Sequence, residues 1–191
     1  MHKTVVLIGF PAAGKTSVGR ELQERYGWSW VDVDDAVERK DGRAIARIIR
    51  EDGEQQFRTL ERNAFVEALQ AKARVVSIGG GALMNVDTHS ELVRGTRDGS
   101  LLAVCLCVSP QTAAKRICEE VQRSGPTRPL LAAAADNAGA PDLPTMVERV
   151  RNLMKKRESL YQFAEHRVAT DNASVEEVVA EVMRLVGGEQ K

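Results

Sequence analysis

The chain has 191 residues, of which 43% are hydrophobic and 28% charged, a composition typical of one globular domain large enough to bury a core. Lys plus Arg and Asp plus Glu are equal at 27 each, which argues against attraction to nucleic acid or membranes by bulk charge. No apolar run approaches membrane-spanning length, and a strand predicted at residues 5–8 leaves no room for a signal peptide, so we expect a cytoplasmic protein.

The first predicted strand leads into a phosphate-binding motif. Residues 9–16 have the sequence Gly-Phe-Pro-Ala-Ala-Gly-Lys-Thr, which is Gly, four residues, then Gly-Lys-Thr, and residues 16–26 predict a helix. In such a loop the backbone N–H groups and the helix N-terminus bind phosphate, Lys15 reaches the β- and γ-phosphates, and the Thr16 hydroxyl ligates Mg²⁺. We therefore predict binding of a nucleoside triphosphate. The alternative is a chance glycine-rich turn.

The second and third strands end in residues that suit a ligand site. A strand predicted over residues 28–34 ends in Asp32 and Asp34, which would point to the same side of an extended chain. Their alternative role is to cap the following helix. The third strand, residues 74–78, leads into three glycines where a typical phosphate-loop enzyme has a magnesium-binding Asp, so Asp32 becomes the better metal candidate. Those glycines, residues 79–81, either admit a ligand close to the backbone or form a flexible turn.

Two arginines lie on or beside apolar helix faces. Residues 42–72 are predicted to be helical, and Arg58 lies beside their apolar stripe with Glu54 and Glu61 at helical spacing, a pattern that also fits a surface ion-pair cluster. Arg157 falls on the inward stripe of a long helix near the C-terminal end. A charge there needs a partner or a bound anion, unless its side chain extends to solvent at the stripe edge.

The remaining elements complete an alternation of strands and helices. Strands are predicted at residues 101–108 and 167–170, and the alternation indicates a parallel sheet with helices on both faces. Cys105 and Cys107 lie in the apolar fourth strand and face the same side of it. Packing of both thiols in the core is therefore favoured over metal binding. Residues 124–144 form a long loop without a regular period, which predicts either a functional or a disordered segment.

Together these motifs resemble the shikimate kinase family, within the nucleoside-monophosphate-kinase-like phosphate-loop folds. The resemblance runs from Thr4 to about Val186, and it rests on the order and spacing of residues 9–16, 32–34, 53–58, 79–81, 128–131 and 156–161. It implies a three-layer α/β fold with a five-stranded parallel sheet in the order 2-3-1-4-5. It also implies one domain over residues 1–191, with acceptor-binding helices at about 35–72 and a mobile lid at about 121–144.

The resemblance also implies roles for individual residues. Those expected to bind ATP are Ala12, Ala13, Gly14, Lys15, Thr16, Ser17, Arg116 and Arg128. Those expected to bind the hydroxyls and the carboxylate of shikimate are Asp34, Arg58, Gly79, Gly80, Gly81 and Arg157. Thr16 and Asp32 are expected to hold Mg²⁺. Those expected to take part directly in phosphoryl transfer are Lys15, Asp34 and Arg128.

The expected reaction is ATP-dependent phosphorylation of shikimate to shikimate 3-phosphate, a step of aromatic amino acid biosynthesis. One alternative is a related kinase that acts on another small hydroxy-acid such as gluconate. Another is a kinase-like module that senses a ligand without turnover, although the presence of Lys15, Thr16, Asp32 and Arg128 argues against it. We expect a monomer that binds small molecules and neither nucleic acid nor membranes. The segment between Leu131 and Arg157 is longer than is usual in the family, which affects the lid and not the chemistry.

Overall fold

The computed structural model describes residues 3–124 and 142–188. Its strands are β1 (Thr4–Gly9), β2 (Trp30–Asp32), β3 (Val75–Ser77), β4 (Leu101–Cys107) and β5 (His166–Ala169). The described α-helices are α1 (Lys15–Tyr26), α2 (Val33–Asp41), α3 (Ile45–Asp52), α4 (Glu54–Gln70), α5 (Val86–Arg97), α6 (Pro110–Ser124), α7 (Leu143–Arg157) and α8 (Val175–Gly188). Short 3₁₀ helices follow β3 and α7, at Ala82–Met84 and Glu158–Tyr161.

The strands form one parallel sheet in the order β2-β3-β1-β4-β5, which confirms the predicted phosphate-loop fold. β1 lies at the centre, paired with β3 on one side and β4 on the other. Its four apolar residues Val5, Val6, Leu7 and Ile8 are fully buried, because helices cover both faces of the sheet. The carboxyl ends of β1, β2 and β3 therefore meet at one edge, where the predicted ligand-binding loops leave the sheet.

Two hydrophobic cores lie on opposite faces of this sheet. Alternate side chains of β1 point to opposite faces, so Val6 packs with α2, α3, α4 and α5 while Val5 packs with α1 and α8. A third core joins α6 and α7 beside Phe10 at the start of the phosphate loop. The last helix begins with a reciprocal cap, in which Ser174 and Glu177 exchange side-chain to backbone hydrogen bonds of 3.2 and 2.7 Å.

The second strand is shorter than predicted. β2 ends at Asp32 rather than at residue 34, because the Asp32 carboxylate accepts a hydrogen bond of 3.1 Å from the Asp34 N–H and so starts α2. Of the residues expected to form the lid, 121–124 belong to α6 and 143–144 to α7. Arg128 and the rest of that segment lie outside the described residues. Among residues 3–124 and 142–188, no helix is both long and apolar enough to cross a bilayer.

Candidate active site

The phosphate loop connects β1 to α1 through a strained turn. Ala12 and Gly14 both adopt left-handed backbone, at φ 64° and 96°. A Cβ placed on Gly9 would lie 2.4 Å from the carbonyl oxygen of Leu106 on β4, so the loop has to begin with a glycine. The turn aims the N-terminus of the 12-residue helix α1 into the cleft, where its N–H groups and dipole favour an anion.

The Lys15 side chain folds back over this loop. Its Nζ donates hydrogen bonds to the carbonyl oxygens of Gly9 at 2.9 Å and Phe10 at 3.1 Å. The lysine stem is flexible and its ammonium group can donate in any direction, so the same group can turn from these carbonyls to phosphate oxygens. The structure thus places the Lys15 ammonium group, which is predicted to reach phosphate, at the mouth of the loop.

Thr16 and Asp32 form an oxygen-rich pair beside the loop. The Thr16 hydroxyl donates to Asp32 Oδ2 at 2.9 Å, while the other carboxylate oxygen caps α2. Burial raises the pKa of Asp32 above its usual value, against the opposing effect of the Thr16 hydrogen bond. A cation bound here would favour the ionised carboxylate. Hydroxyl and carboxylate oxygens are the ligands that Mg²⁺ prefers, so the donor set fits the predicted ion.

Asp34 does not point to the same side of a strand as Asp32, and the prediction that both would do so is wrong. Asp34 lies in the first turn of α2, and its carboxylate lies against Gly79. The capping alternative is correct for Asp32, since this residue caps the helix and also accepts from Thr16. The two carboxylates therefore serve different parts of the cleft.

The three glycines after β3 lie against different functional groups. A Cβ on Gly79 would lie 2.7 Å from Glu61 Oε1 and 3.0 Å from Asp34 Oδ1, and one on Gly81 would lie 2.6 Å from Arg58 Nη2. A Cβ on Gly80 would lie 2.6 Å from the ring of Pro11 in the phosphate loop. The segment is hence a turn packed between the phosphate loop and charged side chains, which fits the close approach to the backbone that the glycines predicted.

Arg58 is held by two carboxylates of its own helix. It donates to Glu61 at 2.7 Å and to Glu54 at 3.0 Å, as the helical spacing predicted. This is not a surface cluster, however, because the Arg58 side chain is only 13% exposed and that of Glu61 only 3%. The pair lies beneath Gly81, so the arginine is fixed at the edge of the site.

Glu61 is a strongly perturbed acid. Burial raises its pKa to about 7, although the neighbouring Arg58 guanidinium acts in the opposite direction, and the nearby Asp34 carboxylate raises it further. Its Oε1 has no hydrogen-bond partner among the described residues. Buried acids with raised pKa values are concentrated at functional sites, so Glu61 belongs to the candidate site.

Arg157 reaches the glycine junction from α7. It is 5% exposed, and its Nη1 donates to the Gly80 carbonyl at 3.1 Å. The alternative in which this side chain extends to solvent is thus wrong. Tyr161 Oη donates to the same carbonyl at 3.0 Å. Burial lowers the pKa of Arg157 below its usual value, and its Nε has no hydrogen-bond partner within the described residues, which is the environment expected of a cation that awaits an anion.

A cleft of about 720 Å³ opens at this edge of the sheet. The predicted residues that line it are Ala12, Ala13, Gly14, Lys15, Thr16, Ser17, Asp32, Asp34, Gly79, Gly80 and Arg116. Arg58, Gly81 and Arg157 are not part of the cleft wall and join the site through their contacts at the glycine junction. A cleft of this size with converging polar groups is typical of small-molecule binding.

Arg116 lies on the rim of the cleft beside the phosphate loop. Its guanidinium donates to the carbonyl oxygens of Ala12 at 3.0 Å and Thr170 at 2.6 Å, so it links the loop to the end of β5. Arg128, the other arginine expected to bind ATP, lies outside the described residues.

A family model described as shikimate kinase matches residues 11–186. The chain belongs to the shikimate kinase family. The shikimate kinase of Thermobifida fusca is 39% identical over 173 residues, which cover 90% of this chain and 88% of that protein. The shikimate kinase of Chlorobium phaeovibrioides is 33% identical over 185 residues, covering 97% and 88%. A solved shikimate kinase from Acinetobacter baumannii in complex with shikimate superposes with a TM-score of 0.78 at 27% identity, covering 100% of this chain and 96% of that one.

Membership in the shikimate kinase family makes the chain a kinase, and a kinase uses ATP. Two residues of the site, Glu61 and Tyr161, were not predicted from the sequence. Glu61 carried a signal, because its spacing from Arg58 predicted an ion pair, but nothing in the sequence indicated its burial beside Gly79. Tyr161 falls on a predicted inward stripe, but its hydrogen bond to Gly80 depends on how the end of α7 meets the loop after β3.

Proposed function

We propose that this enzyme transfers the γ-phosphoryl group of ATP to the 3-hydroxyl of shikimate, giving ADP and shikimate 3-phosphate. The observation that carries this proposal is the glycine junction. On one side Gly80 contacts Pro11 of the phosphate loop, and on the other its carbonyl accepts from Arg157. A donor site for phosphate and a cationic site for a carboxylate thus share one short backbone segment, as phosphoryl transfer to a hydroxy-acid requires.

The phosphate-loop side would hold the nucleotide. Residues 12–17 wrap the phosphates, Lys15 neutralises charge on the transferring group, and Arg116 lies beside the nucleotide. Thr16 and Asp32 would hold Mg²⁺, the latter through water, and when bound this ion neutralises the β- and γ-phosphate oxygens. Arg128, which we propose to act from the lid, would bind the same phosphate and help to exclude water.

The side beyond the glycine junction would hold the acceptor. Asp34 lines the cleft next to Gly79 and would accept a hydrogen bond from the reacting hydroxyl, which orients its oxygen for attack. Arg58 and Arg157 would bind the shikimate carboxylate, since planar guanidinium groups match a carboxylate with two parallel hydrogen bonds. Glu61 would orient Arg58 in this arrangement through their 2.7 Å contact.

We also propose that the enzyme acts as a monomer in the cytoplasm, on small molecules alone. The equal numbers of acidic and basic residues, 27 each, support the absence of nucleic-acid and membrane partners. Gluconate has a carboxylate and hydroxyls as well, and the arginine pair by itself does not separate it from shikimate. The acceptor is therefore the point that an experiment has to decide.

An ADP-release assay with purified enzyme tests the proposal. ATP and Mg²⁺ are supplied with shikimate, gluconate, quinate or no acceptor, and the product is identified by NMR. Among these acceptors we expect only shikimate to give rapid ADP release, and we expect its product to carry a phosphate on the 3-hydroxyl. Faster turnover with gluconate would overturn the acceptor assignment. Binding of shikimate without ADP release would favour the sensing alternative.

Two controls make this assay specific. Lys15→Ala, purified in the same way, should release no ADP above background, which excludes a contaminating kinase. The matched control Lys115→Ala changes an exposed lysine on α6 and should keep wild-type rates. Chelation of divalent metal by EDTA should stop the wild-type reaction if Mg²⁺ is required.

A further inference from the structure

A pair of thiols lies at the end of β4, directly behind the phosphate loop. Cys105 and Cys107 occupy alternate positions on one face of the strand, and their sulfur atoms are 3.9 Å apart. Two residues of extended chain separate their Cα atoms by about 6.6 Å, near the upper limit for a disulfide, and their parallel Cβ atoms lie about as far apart, beyond the ~3.5–4.5 Å that the bond requires. A bond between them would therefore form only with strain in the intervening peptide.

The two thiols differ in reactivity. Cys105 is 3% exposed, whereas Cys107 is half-buried at the last position of the strand. The hydrogen bond to the Cys105 sulfur and the nearby Arg167 guanidinium lower the pKa of Cys107, whereas burial and Asp171 act in the opposite direction. The same hydrogen bond and burial raise the pKa of Cys105. Because Cys107 is the more exposed thiol and lies at the end of the strand, it is the sulfur that a dissolved oxidant reaches first, and Cys105 is placed as its resolving thiol.

We propose that Cys105 and Cys107 form a peroxide-sensitive thiol pair whose oxidation to a disulfide weakens nucleotide binding. In the first step the Cys107 thiolate attacks one oxygen of hydrogen peroxide, the O–O bond breaks and hydroxide leaves, giving a sulfenic acid. In the second step the Cys105 sulfur attacks the Cys107 sulfur, the S–O bond breaks, and water leaves with the thiol proton. Two electrons pass from the sulfurs to the peroxide, and an external dithiol reverses the change.

The peptide that a disulfide would strain contacts the phosphate loop. Leu106 is the residue between the two cysteines, and its carbonyl oxygen lies 2.4 Å from the place where a Cβ on Gly9 would be. The carbonyl of Gly9 in turn accepts from Lys15 Nζ at 2.9 Å. Gly9 is also paired with Leu106 in the sheet and the space between them leaves no room for a side chain, so rotation of the Leu106 peptide would displace the start of the loop.

A second connection runs from Cys107 to the rim of the cleft. Its carbonyl accepts from the N–H of Thr170 at 2.8 Å and from the Thr170 hydroxyl at 3.2 Å. The Thr170 carbonyl accepts from Arg116, which also donates to Ala12 in the phosphate loop. Both connections end at groups assigned to the nucleotide, so the effect on ATP rests on the proposed function, while disulfide formation does not.

The first experiment detects the bond directly. Reduced full-length enzyme is treated with hydrogen peroxide, free thiols are blocked with N-ethylmaleimide, and the protein is digested with trypsin. Both cysteines fall in the tryptic peptide of residues 98–115. We expect this peptide to lose two hydrogen atoms and to carry no maleimide. A peptide that stays fully alkylated, or carries only oxygen adducts, would refute the thiol pair.

The second experiment measures the consequence. Oxidation of the wild type should raise the KM for ATP roughly tenfold, the range of a typical coupling between sites, and leave the KM for the acceptor nearly unchanged. Dithiothreitol should restore the original value. Cys107→Ala and Cys105→Ala should each lack the reversible effect, whereas Cys118→Ser, which changes a half-buried cysteine on α6, should respond as the wild type does.

The outcomes separate this inference from the proposed function. If the disulfide forms and the KM for ATP does not change, the coupling is wrong. A reversible effect that persists in Cys105→Ala would overturn the pair in favour of Cys107 alone. If the reduced wild type fails to phosphorylate shikimate, the proposed function is wrong, and the peptide masses still decide whether the disulfide forms.

Discussion

The two sides of the cleft are built in different ways. The phosphate loop is one continuous segment, shaped by its backbone and by the glycines it contains, and its lysine contacts carbonyls of its own loop. The acceptor side instead brings together Asp34, Arg58, Glu61 and Arg157 from three helices, with buried charges at the glycine junction. The first side therefore depends on local geometry and the second on the packing of distant segments.

This difference has an energetic consequence. Backbone donors at a helix N-terminus are already positioned by the fold and cost little when the anion is absent. Buried side-chain charges without a full set of partners are costly, as the raised pKa of Glu61 and the lowered pKa of Arg157 indicate. We infer that the acceptor side is destabilising until its anion binds. The following predictions test whether the two sides behave separately.

The largest effect is expected on the phosphate-loop side. Lys15→Ala should reduce kcat by a factor that corresponds to about 3 kcal/mol or more, because it removes a cation aimed at the transferring phosphate. The hydrogen bonds from its ammonium group go to carbonyls of the loop rather than to the core, so the melting temperature should change little. Steady-state kinetics measure the change in kcat, and thermal denaturation measures the melting temperature. A near-wild-type kcat would disprove the assigned phosphate site.

The next effect is on stability and concerns Glu61. Its carboxyl titrates near 4.5 in the unfolded chain and near 7 in the fold, so the folded state binds more protons between these pH values. The free energy of unfolding should therefore fall as pH rises from about 4.5 to about 7, by an amount on the order of 3 kcal/mol at 1.36 kcal/mol per pKa unit. Urea denaturation at a series of pH values measures this loss.

Glu61→Gln isolates that contribution from the other acids. The variant cannot ionise at this position, so the difference in stability from the wild type should change across the same pH window. Glu24→Gln, which alters an exposed residue of α1, is the matched control and should show a constant difference. If Glu61→Gln also shows a constant difference, the carboxyl is not perturbed, and the view of the acceptor side as strained is wrong.

Arg157→Lys comes third and tests the carboxylate site. Lysine keeps the charge but loses the planar fork, so the KM for shikimate should rise by a factor equivalent to about 1.5–3 kcal/mol, the range for a hydrogen bond to a charged group. The KM for ATP and the melting temperature should change little. Arg151→Lys, on the exposed face of the same helix, is the control. A collapse in stability with an unchanged shikimate KM would make Arg157 a structural residue.

The contrast between the two sides also explains which features could be predicted correctly from the sequence. The phosphate loop was predicted from a local pattern, because it depends on residues close together in the chain, whereas the sheet order came from the resemblance to the family. The direction of Asp34 was mispredicted for a local reason as well. Two carboxylates at alternate positions point the same way only if the strand continues, and here Asp32 ends it by capping α2.

The acceptor side was less predictable because its chemistry arises from packing. Arg58 and Glu61 have the spacing of an ordinary surface pair, and only the fold buries them under Gly81. The inward position of Arg157 follows from the helical period, but the sequence left open whether its side chain extends to solvent. Its hydrogen bond to Gly80 joins residues 77 positions apart, and no periodic pattern reports such a contact.

The smallest effect is expected from Tyr161→Phe, and it tests the boundary between the two sides. The phenol hydroxyl donates to the Gly80 carbonyl at 3.0 Å, and that carbonyl keeps Arg157 as a second donor when the hydroxyl is removed. The loss of stability should therefore be about 1 kcal/mol, the value of one neutral hydrogen bond. Because the Gly80 peptide then has fewer constraints, the KM for shikimate should rise by roughly two- to fivefold, which corresponds to that same energy.

Varying each substrate in turn measures both constants, and Tyr26→Phe, at a tyrosine that is 40% exposed, is the matched control. The KM for ATP should stay constant, because the hydroxyl contacts the acceptor side of Gly80. The same peptide also meets Pro11, however, so movement could pass to the phosphate loop. An equal rise in both KM values would mean that the glycine junction transmits strain in both directions, and the two sides of the cleft would then have to be treated as one cooperative unit.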